Sequence, residues 1–136
     1  MLATIARKLK EACMEPTLGN GKICYVEIPS GSMDVHALSK FYADVFGWSL
    51  RERGNGELSF DDGVGQVSGM WVPDRAPASA DGLRVSIMVD DAEAILKAIE
   101  ANGGAILEGI GAHAPEITAR FTDPYGNVFS IYQEPA

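Results

Sequence analysis

The sequence predicts an α+β fold: two tandem β-α-β-β-β modules that form a concave mixed sheet around a cleft. Three observations predict it. A hairpin motif occurs twice at one fixed spacing, each hairpin follows one amphipathic helix, and a strand ahead of the second helix alternates apolar and polar side chains. The repeat sets Phe60-Asp61-Asp62-Gly63-Val64-Gly65-Gln66-Val67 against Phe121-Thr122-Asp123-Pro124-Tyr125-Gly126-Asn127-Val128. Phe60 falls on Phe121, Asp62 on Asp123, Gly65 on Gly126 and Val67 on Val128, each 61 residues on. At the same spacing Gly69 falls on Ser130 and Trp71 on Tyr132. In each copy Asp supplies a side-chain acceptor for the turn and Gly takes up positive φ without steric cost.

The elements follow in order. Residues 2–13 read as a short amphipathic helix, because Leu2, Ile5, Leu9 and Cys13 share one helical face. Lys8 and Lys10 interrupt any continuous apolar run, so this stretch is not a secretory signal. It packs on the domain or on a partner subunit and, with its linker, makes up residues 1–21; Met14 is an alternative start. The domain spans 22–136, with modules over 22–72 and 83–134. Residues 22–29 read as a strand with Cys24, Val26 and Ile28 toward the core and Tyr25 and Glu27 on the pocket side.

A helix over 34–46 carries Val35, Leu38, Tyr42, Val45 and Phe46 at helical spacing, with Gly47 as its C-terminal cap. A strand at 49–53 then leads into the first hairpin, and a linker at 73–82, rich in Pro, Ala, Ser and Asp, joins the modules. In strand 84–89, Val85, Ile87 and Val89 face the core while Arg84, Ser86 and Met88 face the pocket. The second helix runs from an N-cap at Asp90 or Asp91 to Asn102. Its stripe is Ala94, Ile95, Ala98 and Ile99, and Gly103-Gly104 ends it. A strand at 105–108 precedes the second hairpin.

Composition narrows the function classes. The 136 residues fit one domain, and 46% apolar with 22% charged residues can build one core. Nineteen acidic against eleven basic residues give a formal charge of −8 with no Lys/Arg stripe, which argues against nucleic acid or an anionic membrane as partner. No window approaches the ~18 apolar residues of a membrane span. The two cysteines, Cys13 and Cys24, form no CxxC pair, so a cytoplasmic protein is expected. No nucleophile elbow, phosphate-binding loop, dinucleotide-binding glycine motif or HExxH motif is present, and no cofactor is expected.

Four stretches resemble one family: Tyr25-Val26-Glu27-Ile28-Pro29; Phe41-Tyr42-Ala43-Asp44-Val45-Phe46-Gly47-Trp48; Val85-Ser86-Ile87-Met88-Val89-Asp90-Asp91; and Asp123-Pro124-Tyr125-Gly126-Asn127-Val128. They resemble the vicinal oxygen chelate superfamily of glyoxalases, bleomycin-resistance proteins and extradiol dioxygenases, from about Lys22 to Glu134. The resemblance implies the glyoxalase/bleomycin-resistance fold, a cleft between modules, and frequent dimerisation. It also implies, for metal-dependent members, a divalent ion held by His, Gln or Glu at four places, one in the first and one in the last strand of each module. Those places fall on Tyr25, Gly69, Arg84 and Ser130, or on Glu27 if the first strand is shifted by two. None of the four is a plausible ligand, and Arg84 would set a permanent cation where the metal belongs.

The expected ligand-binding residues are therefore Tyr25, Glu27, Gly69, Trp71, Arg84, Met88, Ser130 and Tyr132, with no metal site and no assigned catalytic residue. Glu27 is either a ligand-orienting group or general base, or an ion-pair partner for Arg84. Arg84 is either an anion clamp or half of that pair. Trp71, Tyr132 and Met88 share the parity of the vacated ligand places and would line an apolar wall, whereas Trp48 belongs to the core. His36 is a surface residue, and His113 with Glu116 lies in a loop at 109–116 suited to cover a cleft. Three functions stay open: a metal-free small-molecule binder acting as a homodimer; a divalent-metal lyase, isomerase or dioxygenase related to lactoylglutathione lyase; and a non-catalytic assembly subunit.

Overall fold

A computed structural model describes residues 16–135; the helix expected at 2–13, with Cys13 and Met14, lies outside the described residues. Two four-stranded mixed sheets and two helices form the α+β architecture. The first module contains β1 (Tyr25–Pro29), α1 (Val35–Phe46), β2 (Ser49–Gly54), β3 (Glu57–Asp61) and β4 (Ser68–Val72). The second contains β5 (Ser86–Met88), α2 (Ala92–Ala101), β6 (Ala105–Glu108), β7 (Ile117–Thr122) and β8 (Val128–Gln133). The sheet orders are β1-β4-β3-β2 and β5-β8-β7-β6, with β1 parallel to β4 and β5 parallel to β8.

The helices start and stop where their caps dictate. The Asp34 carboxylate accepts the His36 N–H at α1, and Gly47, at φ 70°, closes it in the left-handed conformation. At α2 the Asp91 carboxylate accepts the Ala94 N–H, and Asn102 caps the other end. The 8-residue loop at 109–116, where the first module has a two-residue turn at 55–56, offsets the shorter β5, α2 and β6 of the second module and the shorter connection before α2, which keeps the hairpins near their sequence spacing. Gly65 and Gly126 both have positive φ, 71° and 107°, as the turn chemistry requires.

α1 lies between the sheets, and α2 packs on the second sheet and against α1. Tyr42 of α1 sits 5.6 Å from the Trp71 ring on β4 and 5.9 Å from the Phe129 ring on β8. Phe41 and Phe46 both reach Phe121 on β7. One core therefore serves both modules, built from Ile28, Leu58, Phe60 and Trp71 on one side and Ala119, Phe121, Phe129 and Ile131 on the other. Phe41, 2% exposed, belongs to the α1 stripe although the helical spacing read from sequence omits it. Cys24, expected to face the core, is exposed, because it precedes β1 and lies beyond the reach of the covering helix.

The second hairpin turn seals the junction of the modules. Asp123, 2% exposed, accepts the N–H groups of Tyr125, Gly126 and Asn127 at 2.9 Å on Oδ1. Its Oδ2 accepts from Tyr42 Oη at 2.6 Å and Asn127 Nδ2 at 2.7 Å. Asn127, fully buried, also donates to the Pro29 carbonyl at the end of β1 and accepts the Ala78 N–H from the linker. Gly31 lies under this turn: a Cβ there would fall 1.8 Å from Tyr125 Oη.

Candidate functional site

Register decides which side chains each sheet offers to a ligand. In the first sheet Phe60 pairs with Gly69, and Gly69 with Val26; Trp71 pairs with Ile28. These residues share the helix-side face, so Gly69 and Trp71 lie in the core, with Trp71 1% exposed. In the second sheet Phe121 pairs with Phe129, not with Ser130. The turn over residues 123–127 is one residue shorter than the turn over 62–67. That single-residue slip moves every later side chain to the opposite face. The structural counterparts of Gly69 and Trp71 are therefore Phe129 and Ile131. This corrects the expectation that Gly69 and Trp71 share a pocket wall with Ser130 and Tyr132.

Five of the other predicted residues lie on the outward faces, but on two different sheets of the chain, while Arg84 precedes β5. Tyr25 and Glu27 stand on the first sheet beside Ser68 and Met70. Met88, Ser130 and Tyr132 stand on the second with Ser86, Thr118 and Arg120. Glu27 pairs with Arg75 of the linker, Oε1 to Nη2 3.2 Å, and not with Arg84. Arg84 Nη2 instead donates to the Ala80 carbonyl at 3.2 Å. Tyr132 donates to Glu134 Oε2 at 3.0 Å, and this hydrogen bond raises its phenol above the usual range. His113 bonds Glu108 at 2.9 Å rather than Glu116, since β6 ends beside the loop that carries the histidine. His36 is a surface residue between Asp34 and Glu52.

The modules enclose a cleft of about 850 Å³. Val26, Trp48 and Val64 wall it from the first module, and Val85, Ile87 and Ile95 from the second. Arg84 and Met88 are the predicted site residues that line it, and Asp62, Asp90 and Asp91 add carboxylates at its edge. Trp48 was expected only as core. It stacks between Tyr42 and Phe60, at ring distances of 4.8 and 4.4 Å, and still presents an edge to the cleft. The sequence signal that could have placed it is its position just past the Gly47 cap, where the chain turns between helix and strand.

The observed register also tests whether a divalent metal fits. The central outward positions of the first and last strands are Glu27 and Met70 in one sheet and Ser86 and Ser130 in the other. They supply one carboxylate, a thioether and two hydroxyls. A hard divalent ion takes several carboxylate or imidazole donors, so this set does not fit it. Among the described residues no three His, Cys, Asp or Glu side chains gather where an ion could be held. None of the described helices is long and apolar enough to cross a membrane.

Comparison with known proteins agrees with this architecture. The sequence model of the Glyoxalase/Bleomycin resistance protein/Dioxygenase superfamily matches residues 27–131. A glyoxylase-like domain-containing protein of Didymella fabae is 32% identical over 126 residues, covering 85% of this chain and 96% of that protein. Among solved structures, a glyoxalase/bleomycin resistance protein/dioxygenase family enzyme from Burkholderia phytofirmans PsJN superposes with a TM-score of 0.67 at 22% identity, covering 80% of this chain and 95% of that one. An antibiotic binding protein from Streptomyces sp. CB03234 does so with a TM-score of 0.65 at 22% identity, covering 88% and 100%.

Proposed function

The chain belongs to the Glyoxalase/Bleomycin resistance protein/Dioxygenase superfamily, and from that premise we propose that it binds a small, largely apolar organic molecule in the cleft between its modules, without a catalytic metal. The observation that carries this reading is the cleft itself. Its volume of about 850 Å³ lies in the range of small-molecule sites. Its walls are aliphatic and aromatic, with Arg84 and the edge carboxylates to orient a polar substituent. The antibiotic binding protein of the same fold is a precedent for binding as the function. The poor donor set at the outward positions supports a site that works without an ion.

We further place the protein in the cytoplasm as a homodimer. The cysteine usage supports the first. Exposed apolar side chains on or just before the edge strands β1 and β5 support the second: Tyr25 is 47% exposed, Leu83 97% and Met88 72%.

The test uses N-phenyl-1-naphthylamine, a neutral fluorophore that brightens in apolar sites. Wild-type protein should give a saturable enhancement, and Val85→Trp, which fills the cleft, should abolish it while leaving the urea midpoint unchanged. No enhancement, or equal enhancement in both proteins, would sink the reading. Metal content after incubation with Zn²⁺, Ni²⁺, Mn²⁺ or Fe²⁺ and desalting should stay far below one ion per chain. Near-stoichiometric retention would favour the lyase or dioxygenase reading instead.

A further inference from the structure

The start of the described chain is tied to one wall of the inter-module cleft. The Thr17 N–H donates to Gln66 Oε1 at 2.9 Å, and Lys22 Nζ donates to the Gln66 carbonyl at 2.8 Å. Val64 and Val67, which flank Gln66 in the first hairpin turn, line the cleft, and so does Ile23. Ile23 is 76% exposed and Val64 62%, so aliphatic side chains meet solvent on this wall. Its rim is acidic: Asp62, Asp90 and Asp91 reach the cleft, and Arg84 is the single cation among the lining residues. Asp62 Oδ1 accepts the Gln66 N–H and Asp91 Oδ1 the Ala94 N–H, which leaves each carboxylate a second oxygen for another donor. Apolar surface rimmed by polar groups marks a place for a partner.

The sequence ahead of Thr17, outside the described residues, complements that wall. Leu2, Ile5 and Leu9 recur at i, i+3 and i+7, the spacing with which a helix anchors in an apolar groove. Arg7, Lys8 and Lys10 outnumber Glu11, the one carboxylate over 2–13. Twelve helical residues are about 18 Å long. From Cys13 to Thr17 the chain advances four residues and spans at most about 14 Å. So short a tether holds the segment beside its own cleft at an effective concentration on the order of millimolar. A second copy at micromolar concentration competes poorly with that.

We propose that residues 2–13 are the intrachain occupant of the cleft: the Leu2, Ile5 and Leu9 stripe seats against Ile23 and Val64, the lysines meet the rim aspartates, and a ligand enters by displacing the segment. The docking stands on the tether, the spacing and the charge; only its consequence, competition with a ligand, rests on the cleft being the binding site. Segment and ligand then share one site. The apparent affinity for the ligand is reduced in proportion to the fraction of chains whose cleft is open.

Full-length protein carrying both Ile5→Asp and Leu9→Asp tests this with two readouts. In ¹⁵N spectra the Ile23, Val64 and Ile95 amides should differ between wild type and the double variant, and the differences should survive dilution. N-phenyl-1-naphthylamine should bind the double variant about fivefold more tightly, which corresponds to a docked segment in about four wild-type chains of five. A synthetic peptide of residues 1–15 should compete with the fluorophore in the double variant, and the same peptide with both aspartates should not. Cleft amides that coincide in the two proteins, differences that vanish on dilution and so belong to a second copy, or binding of the fluorophore with equal affinity would each overturn the proposal. A fluorophore that binds neither protein, with the amide differences present, sinks the small-molecule reading and leaves the docking standing. Equal binding to both without amide differences does the reverse.

Discussion

The Tyr42 hydroxyl donates to Asp123 at 2.6 Å, joining the helix of one module to the hairpin turn of the other across 81 residues of chain. Both side chains are buried, and the carboxylate collects five hydrogen bonds in all. Tyr42→Phe removes one of them and should cost about 1–3 kcal/mol. Asp123→Ala leaves three backbone N–H groups and two side-chain donors without an acceptor and should cost about 3–5 kcal/mol, or prevent folding. Urea unfolding at pH 7 ranks the two; equal losses would contradict the network.

The same pair predicts a pH dependence. Burial, reinforced by the Asp123 charge and hydrogen bond, pushes the Tyr42 phenol well above its usual value of 10.0. The unfolded chain then loses that proton first as pH rises. The stability Tyr42 contributes is therefore complete below about pH 10 and falls away above it. The difference in urea midpoint between wild type and Tyr42→Phe should narrow between pH 9 and pH 11. A constant difference would contradict the buried, neutral phenol.

The one-residue slip between hairpins makes residues that look equivalent in sequence behave differently. A Cβ on Gly69 would meet the Val26 carbonyl oxygen at 2.0 Å and Phe60 Cζ at 2.4 Å, so Gly69→Ala should destabilise by about 3 kcal/mol or more. Trp71→Ala should cost about 3–5 kcal/mol as a core truncation. Tyr132→Phe, on the outward face, should stay within about 0.5 kcal/mol of wild type. Thermal melts of the three variants suffice, and a severe loss in Tyr132→Phe with a mild one in Trp71→Ala would reverse the assignment of faces.

Association through the apolar edge is open to a charge test. Met88→Glu sets a carboxylate on a side chain that is 72% exposed in the single chain, so it should leave the melting temperature of the monomer nearly unchanged. Sedimentation should then fall from twice 14.5 kDa to the single-chain mass. A wild-type chain that sediments as a monomer at micromolar concentration would remove the homodimer from the reading.

Most of the fold was legible because its signals are local. The Asp-to-Gly hairpin turns and the caps at Gly47 and Asp91 depend on neighbours within a few residues, whereas the alternation around β5 located the strand but put Val85 in the core, where the structure leaves it 40% exposed at the cleft. The site was legible only in part. Placing a side chain on a sheet face requires the register between strands, and one residue lost from a turn reverses it without disturbing the sequence match at Phe60 and Phe121. Arg120 was not singled out, because a lone arginine in a strand carries no pattern; only the structure shows its buried Nε without a hydrogen-bond partner. Ion pairs such as Glu27 with Arg75 escaped for the same reason, since the linker that brings them together has no periodicity to read.

The Asn127 contacts bear on how the chain is made. During synthesis the first module leaves the ribosome complete in its strands and helix, yet the side chain that ties the end of β1 to the linker arrives only at residue 127 of 136. Until then Tyr42 has no acceptor and the Pro29 carbonyl loses its side-chain donor. The contacts that close the first module's frame therefore come from the last tenth of the chain, so the packing of the early half depends on residues of the late one.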